Sequence, residues 1–115
     1  MKDLQGRVCV ITGGASGIGL AMAEAFGAAG MKLVIGDIEQ PAIDRALPVL
    51  AARGCEAIGV RADVAKFGDV EALAAAALAA FGKIHLVVNN AGVSITGPIW
   101  EMSLDDWRWV YDVNL

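Results

Sequence analysis

A glycine-rich segment lies between a short apolar run and a helical pattern, and its residue types suit phosphate binding. The segment reads Thr12-Gly13-Gly14-Ala15-Ser16-Gly17-Ile18-Gly19. Glycines permit a tight turn and let the backbone approach a pyrophosphate, while the free N–H groups of the following helix attract the anion. The spacing is G-x-x-x-G-x-G and not the more common G-x-G-x-x-G. The segment therefore predicts a phosphate site, with glycines that merely make a turn as the alternative.

An acidic residue at the end of the next strand suits recognition of a ribose. Asp37 follows Gly19 by 18 residues. A carboxylate there can accept hydrogen bonds from an adenosine 2′-hydroxyl and would repel a 2′-phosphate. Neither Ser16 nor Ile38 brings a compensating positive charge, and Lys32 lies at the far end of the strand. This pattern predicts NAD in preference to NADP, and a solvated acid that merely ends a strand is the alternative.

Strand and helix patterns alternate along the chain, which is typical of parallel βαβ units. They predict an α/β fold, a doubly wound parallel sheet of the Rossmann type, truncated after the fourth helix. Residues 1–115 are then the N-terminal dinucleotide-binding part of a single domain. The predicted strands are 7–11, 32–36, 55–61 and 84–88, and the predicted helices are 17–29, 41–53, 66–81 and 103–115.

Two helices carry more detailed expectations. Pro48 lies inside the second helical pattern and predicts a kink or an interruption there. In the third helix Val70, Leu73, Leu78 and Phe81 are expected to form one buried stripe. Glycines at 30, 54 and 82 are expected to end the first three helices.

Three further motifs follow the glycine-rich segment in order. Asp63-Val64 follows the third strand, Asn89-Asn90-Ala91-Gly92 follows the fourth, and Asn114 lies in the fourth helix. Together with Thr12–Gly19 they resemble the short-chain dehydrogenase/reductase family, and they span essentially the whole chain. The resemblance implies an oxidoreductase that moves hydride between NAD(H) and an alcohol or carbonyl substrate. The cofactor-binding residues that we predict are Thr12, Gly13, Ala15, Ser16, Gly17, Ile18, Gly19, Asp37, Ile38, Asp63, Val64, Asn90, Ala91 and Gly92.

The resemblance also assigns roles to single residues. It places the side chain of Asp63 and the backbone of Val64 on the adenine. It places the segment 90–92 beside the cofactor ribose, where its residues also brace the sheet, and plain turn chemistry is a compatible alternative. It makes Asn114 the one catalytic candidate, through a backbone-supported proton relay.

The catalytic serine, tyrosine and lysine of the family lie beyond position 115 in its full-length members. Tyr111 does not replace that tyrosine, because Leu115 stands where Tyr-x-x-x-Lys requires lysine. We therefore expect this chain alone to be inactive, and we interpret its end inside a helix as a cut. The alternative is a complete, non-catalytic nucleotide-binding or interaction module. His85 is expected to be a surface or edge histidine.

Composition excludes several classes of protein. The net charge is −4, from 9 basic and 13 acidic residues, without a basic run for nucleic acid. Apolar runs are too short for a membrane span or a signal peptide. Cys9 and Cys55 lack metal-ligand or CxxC spacing, so we expect free thiols, no metal and a cytoplasmic location. A small-molecule substrate is the expected partner. Trp109 and Val113 lie opposite the Trp107–Val110 stripe of the last helix, and because this helix often meets a partner subunit in the family, the resemblance implies a homo-oligomer.

Overall fold

The computed structural model describes residues 3–91 as alternating strands and helices. The predicted fourth helix and its residues lie outside the described part of the chain. The elements are β1 (Val8–Thr12), α1 (Gly17–Ala28), β2 (Lys32–Asp37), α2 (Gln40–Ala52), β3 (Ala57–Arg61), α3 (Phe67–Phe81) and β4 (Leu86–Asn89).

The four strands form one parallel sheet in the order β3-β2-β1-β4. The chain moves outward from β1 to β3 and then returns to the other side of β1. The strand order therefore reverses at β1, and open α/β sheets bind their ligands at such a point, beyond the carboxyl ends of the strands. Thr12 lies opposite both Gly36 and Asn89, so three carboxyl-terminal strand ends meet at one edge. The Rossmann-like α/β fold is confirmed.

The core consists of two apolar layers, one on each face of the sheet. Alternate residues of β1 and β2 point to opposite faces, and both strands are buried on both. One layer packs Cys9, Ile11, Leu33 and Ile35 against α1 and α2, and the other packs Val8, Val10 and Val34 against α3.

Helix α2 runs from Gln40 to Ala52 without a break, so the predicted interruption at Pro48 is wrong. Pro48 removes the hydrogen bond to the carbonyl of Asp44, four residues earlier. Both residues are exposed, so water can bind the carbonyl that loses its donor. The helix is held instead by its buried face, Ala42, Ile43, Ala46 and Leu50.

Helix α3 buries a narrower line than the predicted stripe. Leu73 and Ala77 are buried, whereas Val70 is 39% and Leu78 49% exposed, so the prediction is wrong for these two residues. Leu73 reaches the sheet at Gly36, where a Cβ would lie 2.9 Å from the Leu73 side chain. Because the helix lies so close to the sheet, only Leu73 and Ala77, four residues apart, face it directly. Val70 and Leu78 lie to either side of these two residues.

The helix ends agree with the glycine pattern. Gly30, Gly54 and Gly82 follow the three helices with φ of 90°, 77° and 79°. A positive φ favours glycine because other residues place their Cβ against the backbone. Within residues 3–91, none of the helices combines the length and apolarity of a membrane span.

Candidate functional site

The glycine-rich segment turns tightly at the end of β1. The N–H groups of Gly13 and Gly14 donate to the carbonyl of Gly36, at 2.7 and 3.3 Å, and tie the turn to β2. Gly13 has a φ of 66° and Gly17 a φ of 54°. A Cβ on Gly19 would collide with the carbonyl oxygen of Gly13. The turn can therefore keep this shape only with glycine at position 19.

The first turn of α1 offers unused hydrogen-bond donors. Ser16 is its N-cap in extended conformation, but its side chain caps no N–H group, and the turn holds no acidic residue. The N–H groups of the first turn have no intrahelical acceptor. A Cβ on Gly17 would meet nothing within 4 Å, so the space beside the turn is open. Donors, open space and the positive helix end fit a phosphate or pyrophosphate group.

The carboxylate of Asp37 contacts the glycine turn. Its Oδ2 accepts from the N–H of Ala15 at 3.2 Å, and its Oδ1 accepts from the N–H of Glu39 at 3.1 Å. A carboxylate oxygen can accept more than one hydrogen bond, so both oxygens keep capacity for a ligand hydroxyl. Ile38, beside it, is 48% exposed. The structure thus joins the predicted ribose acceptor to the predicted phosphate loop.

Thr12 connects the ends of β1 and β4. Its Oγ1 accepts from the N–H groups of Asn90 and Ala91, at 3.1 and 3.2 Å, and donates to the carbonyl of Val88 at 3.3 Å. The Asn90 side chain donates back to the carbonyl of Gly13 at 3.2 Å. Asn90 and Ala91 therefore brace the ends of β1 and β4, and Asn90 lies next to the glycine turn.

Asp63 begins a turn at the end of β3. Its Oδ1 accepts from the N–H of Ala65 at 3.0 Å, and its own N–H donates to Oδ2 of Asp69 at 2.9 Å. The N–H of Ala62 donates to the carbonyl of Asp37 at 2.9 Å. This backbone hydrogen bond, made by the residue before Asp63, thus links the turn predicted to contact the adenine to Asp37, the predicted ribose acceptor.

Two charged residues near these groups are absent from the sequence-based site. Arg61 lies opposite Asp37 in the register of β3 and β2, and its Nη1 is 4.0 Å from Oδ2 of Asp69. Asp69 lies in the first turn of α3. The only sequence feature that could have indicated a role for Asp69 was its position near a helix start. Acidic residues are common there because they stabilise the helix.

The predicted residues from Thr12 to Ala91 lie at the carboxyl edge of the sheet or in the turns that follow it. Gly92 and Asn114 lie outside the described residues. The exposed His85 lies at the other end of the strands, beside the start of β1, where its Nδ1 accepts from the N–H of Val8 at 2.9 Å. Burial raises the pKa of the Cys9 thiol to about 11, so Cys9 is a neutral core residue at ordinary pH.

Known proteins are similar to this chain in sequence. A family model for short chain dehydrogenase matches residues 7–115, so the chain belongs to the short-chain dehydrogenase/reductase family. It is 41% identical over 115 residues to a CLA biosynthesis dehydrogenase/reductase of Lactiplantibacillus plantarum, covering 100% of this chain and 40% of that protein. It is 40% identical to glucose 1-dehydrogenase 2 of Bacillus subtilis, covering 99% and 45%.

A solved structure agrees closely with the fold. A short-chain dehydrogenase/reductase from Burkholderia phymatum, in complex with NAD, matches with a TM-score of 0.97 and 51% identity. The match covers 100% of this chain and 41% of that one. The chain thus spans less than half the length of these relatives.

Proposed function

We propose that residues 1–115 form the dinucleotide-binding part of a single Rossmann-type domain in an NAD-dependent oxidoreductase that acts on an alcohol or carbonyl compound. The observation that supports this most strongly is the hydrogen bond from Ala15 to Asp37. It ties the carboxylate that we predict to bind the ribose to the glycine turn that leads into α1. The relative with bound NAD, at 51% identity, supports the same cofactor.

The pyrophosphate is proposed to bind the first turn of α1. The N–H groups of residues 17–19 would donate to its oxygens, and Ser16 supplies a hydroxyl whose hydrogen-bonding capacity no helix cap consumes. Gly13 and Gly19 allow the turn to keep this shape, because a Cβ at either position would meet neighbouring residues of the loops. Binding here positions the cofactor and leaves the chemistry unchanged, because a contact made equally in ground and transition states accelerates nothing.

The adenosine half is proposed to lie across the ends of β2 and β3. Asp37 would accept from the ribose hydroxyls, Asp63 would accept from the adenine amino group, and Val64 would contact the ring through its backbone. Asp37 disfavours NADP because a 2′-phosphate would face a carboxylate already fixed in place. Arg61 lies nearby, with its Nη1 4.0 Å from Oδ2 of Asp69.

The nicotinamide half is proposed to lie along the Asn90–Gly92 segment, at the side of β4. NAD, when bound, supplies the hydride acceptor. Asn90 holds the carbonyl of Gly13 and keeps the two loops at a fixed separation. Asn114 remains the one proposed catalytic residue of this chain, and we continue to expect no turnover from residues 1–115 alone.

The proposal extends to the surroundings of the protein. A small-molecule substrate fits the dehydrogenase names of the relatives. A cytoplasmic location is proposed because both cysteines are free thiols, which is usual in a reducing compartment. Self-association of identical chains is the proposed oligomeric form.

Titration calorimetry with NAD and NADP tests the cofactor assignment. We expect NAD to bind at least about tenfold more tightly, a difference of about 1.4 kcal/mol. Asp37→Asn should narrow this ratio, because it removes the charge that repels a 2′-phosphate. Asp44→Asn, on the exposed side of α2, is the matched control and should leave the ratio unchanged. Equal or tighter binding of NADP by the unaltered chain would contradict the proposal.

A further inference from the structure

Asp69 connects the start of α3 to the turn that follows β3. Its Oδ2 accepts a hydrogen bond from the backbone N–H of Asp63 at 2.9 Å. The same oxygen lies 4.0 Å from Nη1 of Arg61, the last residue of β3. One carboxylate therefore contacts the backbone of the proposed adenine residue and the side chain two positions before it.

One hydrogen bond constrains the side chain of Asp63. Oδ1 accepts from the N–H of Ala65 at 3.0 Å, which closes a local turn. Within residues 3–91 no donor reaches Oδ2 of Asp63, so this oxygen is available for a ligand. The N–H of Ala62, one residue earlier, donates to the carbonyl of Asp37. Asp69 and Asp37 thus hold the backbone on either side of the Cα of Ala62.

We propose that Asp69 is a positioning residue for the adenine end of the cofactor site, and this rests on the NAD site proposed above. Asp69 holds the Asp63 backbone so that the free carboxylate oxygen meets the 6-amino group of adenine. Asp69 itself touches no part of the ligand. It acts through Asp63, and its loss lets the turn rotate the acceptor away from the amino group.

A purely structural role for Asp69 predicts a different result. An acid in the first turn of a helix stabilises that helix, and its removal would weaken every ligand equally. A positioning role instead affects recognition of the one adenine substituent that Asp63 contacts. NAD and nicotinamide hypoxanthine dinucleotide separate the two roles, because they differ only at the edge of the base that Asp63 would contact. There an oxygen replaces the 6-amino group, and the neighbouring N1 carries a hydrogen.

The experiment is calorimetry of the 115-residue chain with these two dinucleotides. The unaltered chain should prefer NAD by about tenfold, the range expected for one hydrogen bond to a charged group. Asp69→Ala should reduce this preference to less than about threefold, mainly by weakening NAD. Asp69→Asn keeps an acceptor oxygen and should restore most of it. Glu71→Ala, an exposed acid in the same helix, is the matched control.

A ligand-free measurement accompanies the titrations. Amide hydrogen exchange by NMR should show the Asp63 N–H protected in the unaltered chain and in Asp69→Asn, and exchanging at least tenfold faster in Asp69→Ala. Circular dichroism checks that each variant keeps its helix content.

The outcomes separate this proposal from the one on which it rests. If the unaltered chain binds no NAD, or if Asp63→Ala keeps the full preference for NAD, the adenine contact itself is wrong, and the role of Asp69 is refuted with it. If Asp63→Ala loses the preference but Asp69→Ala keeps it, the adenine contact stands and the positioning role is refuted. An equal loss of both ligands in Asp69→Ala also refutes it in favour of a structural role.

Discussion

Single backbone and side-chain contacts determine the shape of the glycine turn. Gly13 faces the Asn90 side chain and the backbone of Ala91, and Gly19 faces the Gly13 carbonyl. These distances leave no room for a methyl group at Gly19 unless the turn moves. The turn is therefore sensitive to one carbon atom at this position.

Gly19→Ala should lower the free energy of unfolding by about 2 kcal/mol or more, because a rigid backbone atom occupies the space that the Cβ needs. NAD binding should fall below detection, since the first turn of α1 would shift. Gly68→Ala is the control, because a Cβ at Gly68 meets nothing within 4 Å. It should be neutral or slightly stabilising in urea titrations. A fully stable Gly19→Ala protein that binds NAD normally would contradict the described packing.

Cys9 provides a test of burial in β1. Its side chain is fully buried and the pKa of its thiol is raised to about 11 from an ordinary value of 9.0. As pH rises from about 9 to 11, the unfolded thiol ionises before the folded one. The free energy of unfolding should therefore fall over this window by up to roughly 2 to 3 kcal/mol, and no such loss arises from Cys9 below pH 9.

The measurement is urea unfolding at a series of pH values, compared with Cys9→Ala, which should lack this component of the slope. Thiol labelling gives an independent check, because the partly exposed Cys55 should react in the folded protein and Cys9 only after unfolding. Rapid labelling of both thiols under native conditions would show that β1 is not closed over Cys9.

At the scale of elements, helix α2 shows how one well-packed face compensates for a poor residue. Pro48 costs the helix a hydrogen bond on its solvent side, while the side chains of Ile43 and Leu50 are almost completely buried. Burial of such a side chain contributes about 1.5 to 3 kcal/mol. Two of them together can offset the cost of about 3 kcal/mol for an internal proline.

Pro48→Ala should stabilise the protein, because it restores a helical N–H donor at an exposed position. Proline also lowers the conformational entropy of the unfolded chain, and its replacement gives up that stabilising effect. We therefore expect the free energy of unfolding to rise by about 1 kcal/mol and Tm to rise by several degrees. Pro41→Ala is the matched control, since Pro41 occupies the first turn, where no N–H partner is lost. A lower Tm for Pro48→Ala would indicate that Pro48 makes a stabilising contact.

At the scale of the whole molecule, β4 is an edge strand within residues 3–91. It pairs with β1 on one side, and no other described strand pairs with its second side. Val87 on this strand is 52% exposed. An edge with an apolar surface is a template for pairing with another chain.

Light scattering of the 115-residue chain at tens of micromolar should therefore show dimers or larger species. Val87→Lys should shift the population towards monomer, because a charge on an edge strand opposes pairing. Val49→Lys, at a 41% exposed position on α2, is the control and should leave the distribution unchanged. A monomeric unaltered chain would show that this edge does not pair.

The sequence by itself determined the features that depend on neighbouring residues. The glycine turn, the strand–helix alternation and the glycines that end the helices follow from backbone preferences within a few positions. The observed bounds of β1 and β3 differ from the predicted bounds by one or two residues. The reason is that hydrogen bonding to the neighbouring strand decides where a strand begins. The family motifs also lie in local segments, so they were visible before any fold was known.

Only the tertiary structure decided which distant residues share the site and which sides of the helices are buried. Thr12 and Asn90 are 78 residues apart and become partners because β1 and β4 are parallel neighbours. Arg61 lies opposite Asp37 only once the register of β2 and β3 is set. The exposure of Pro48, Val70 and Leu78 likewise depends on which face of each helix meets the sheet. Periodicity defines a stripe, but the width of the contact depends on the surface that it meets.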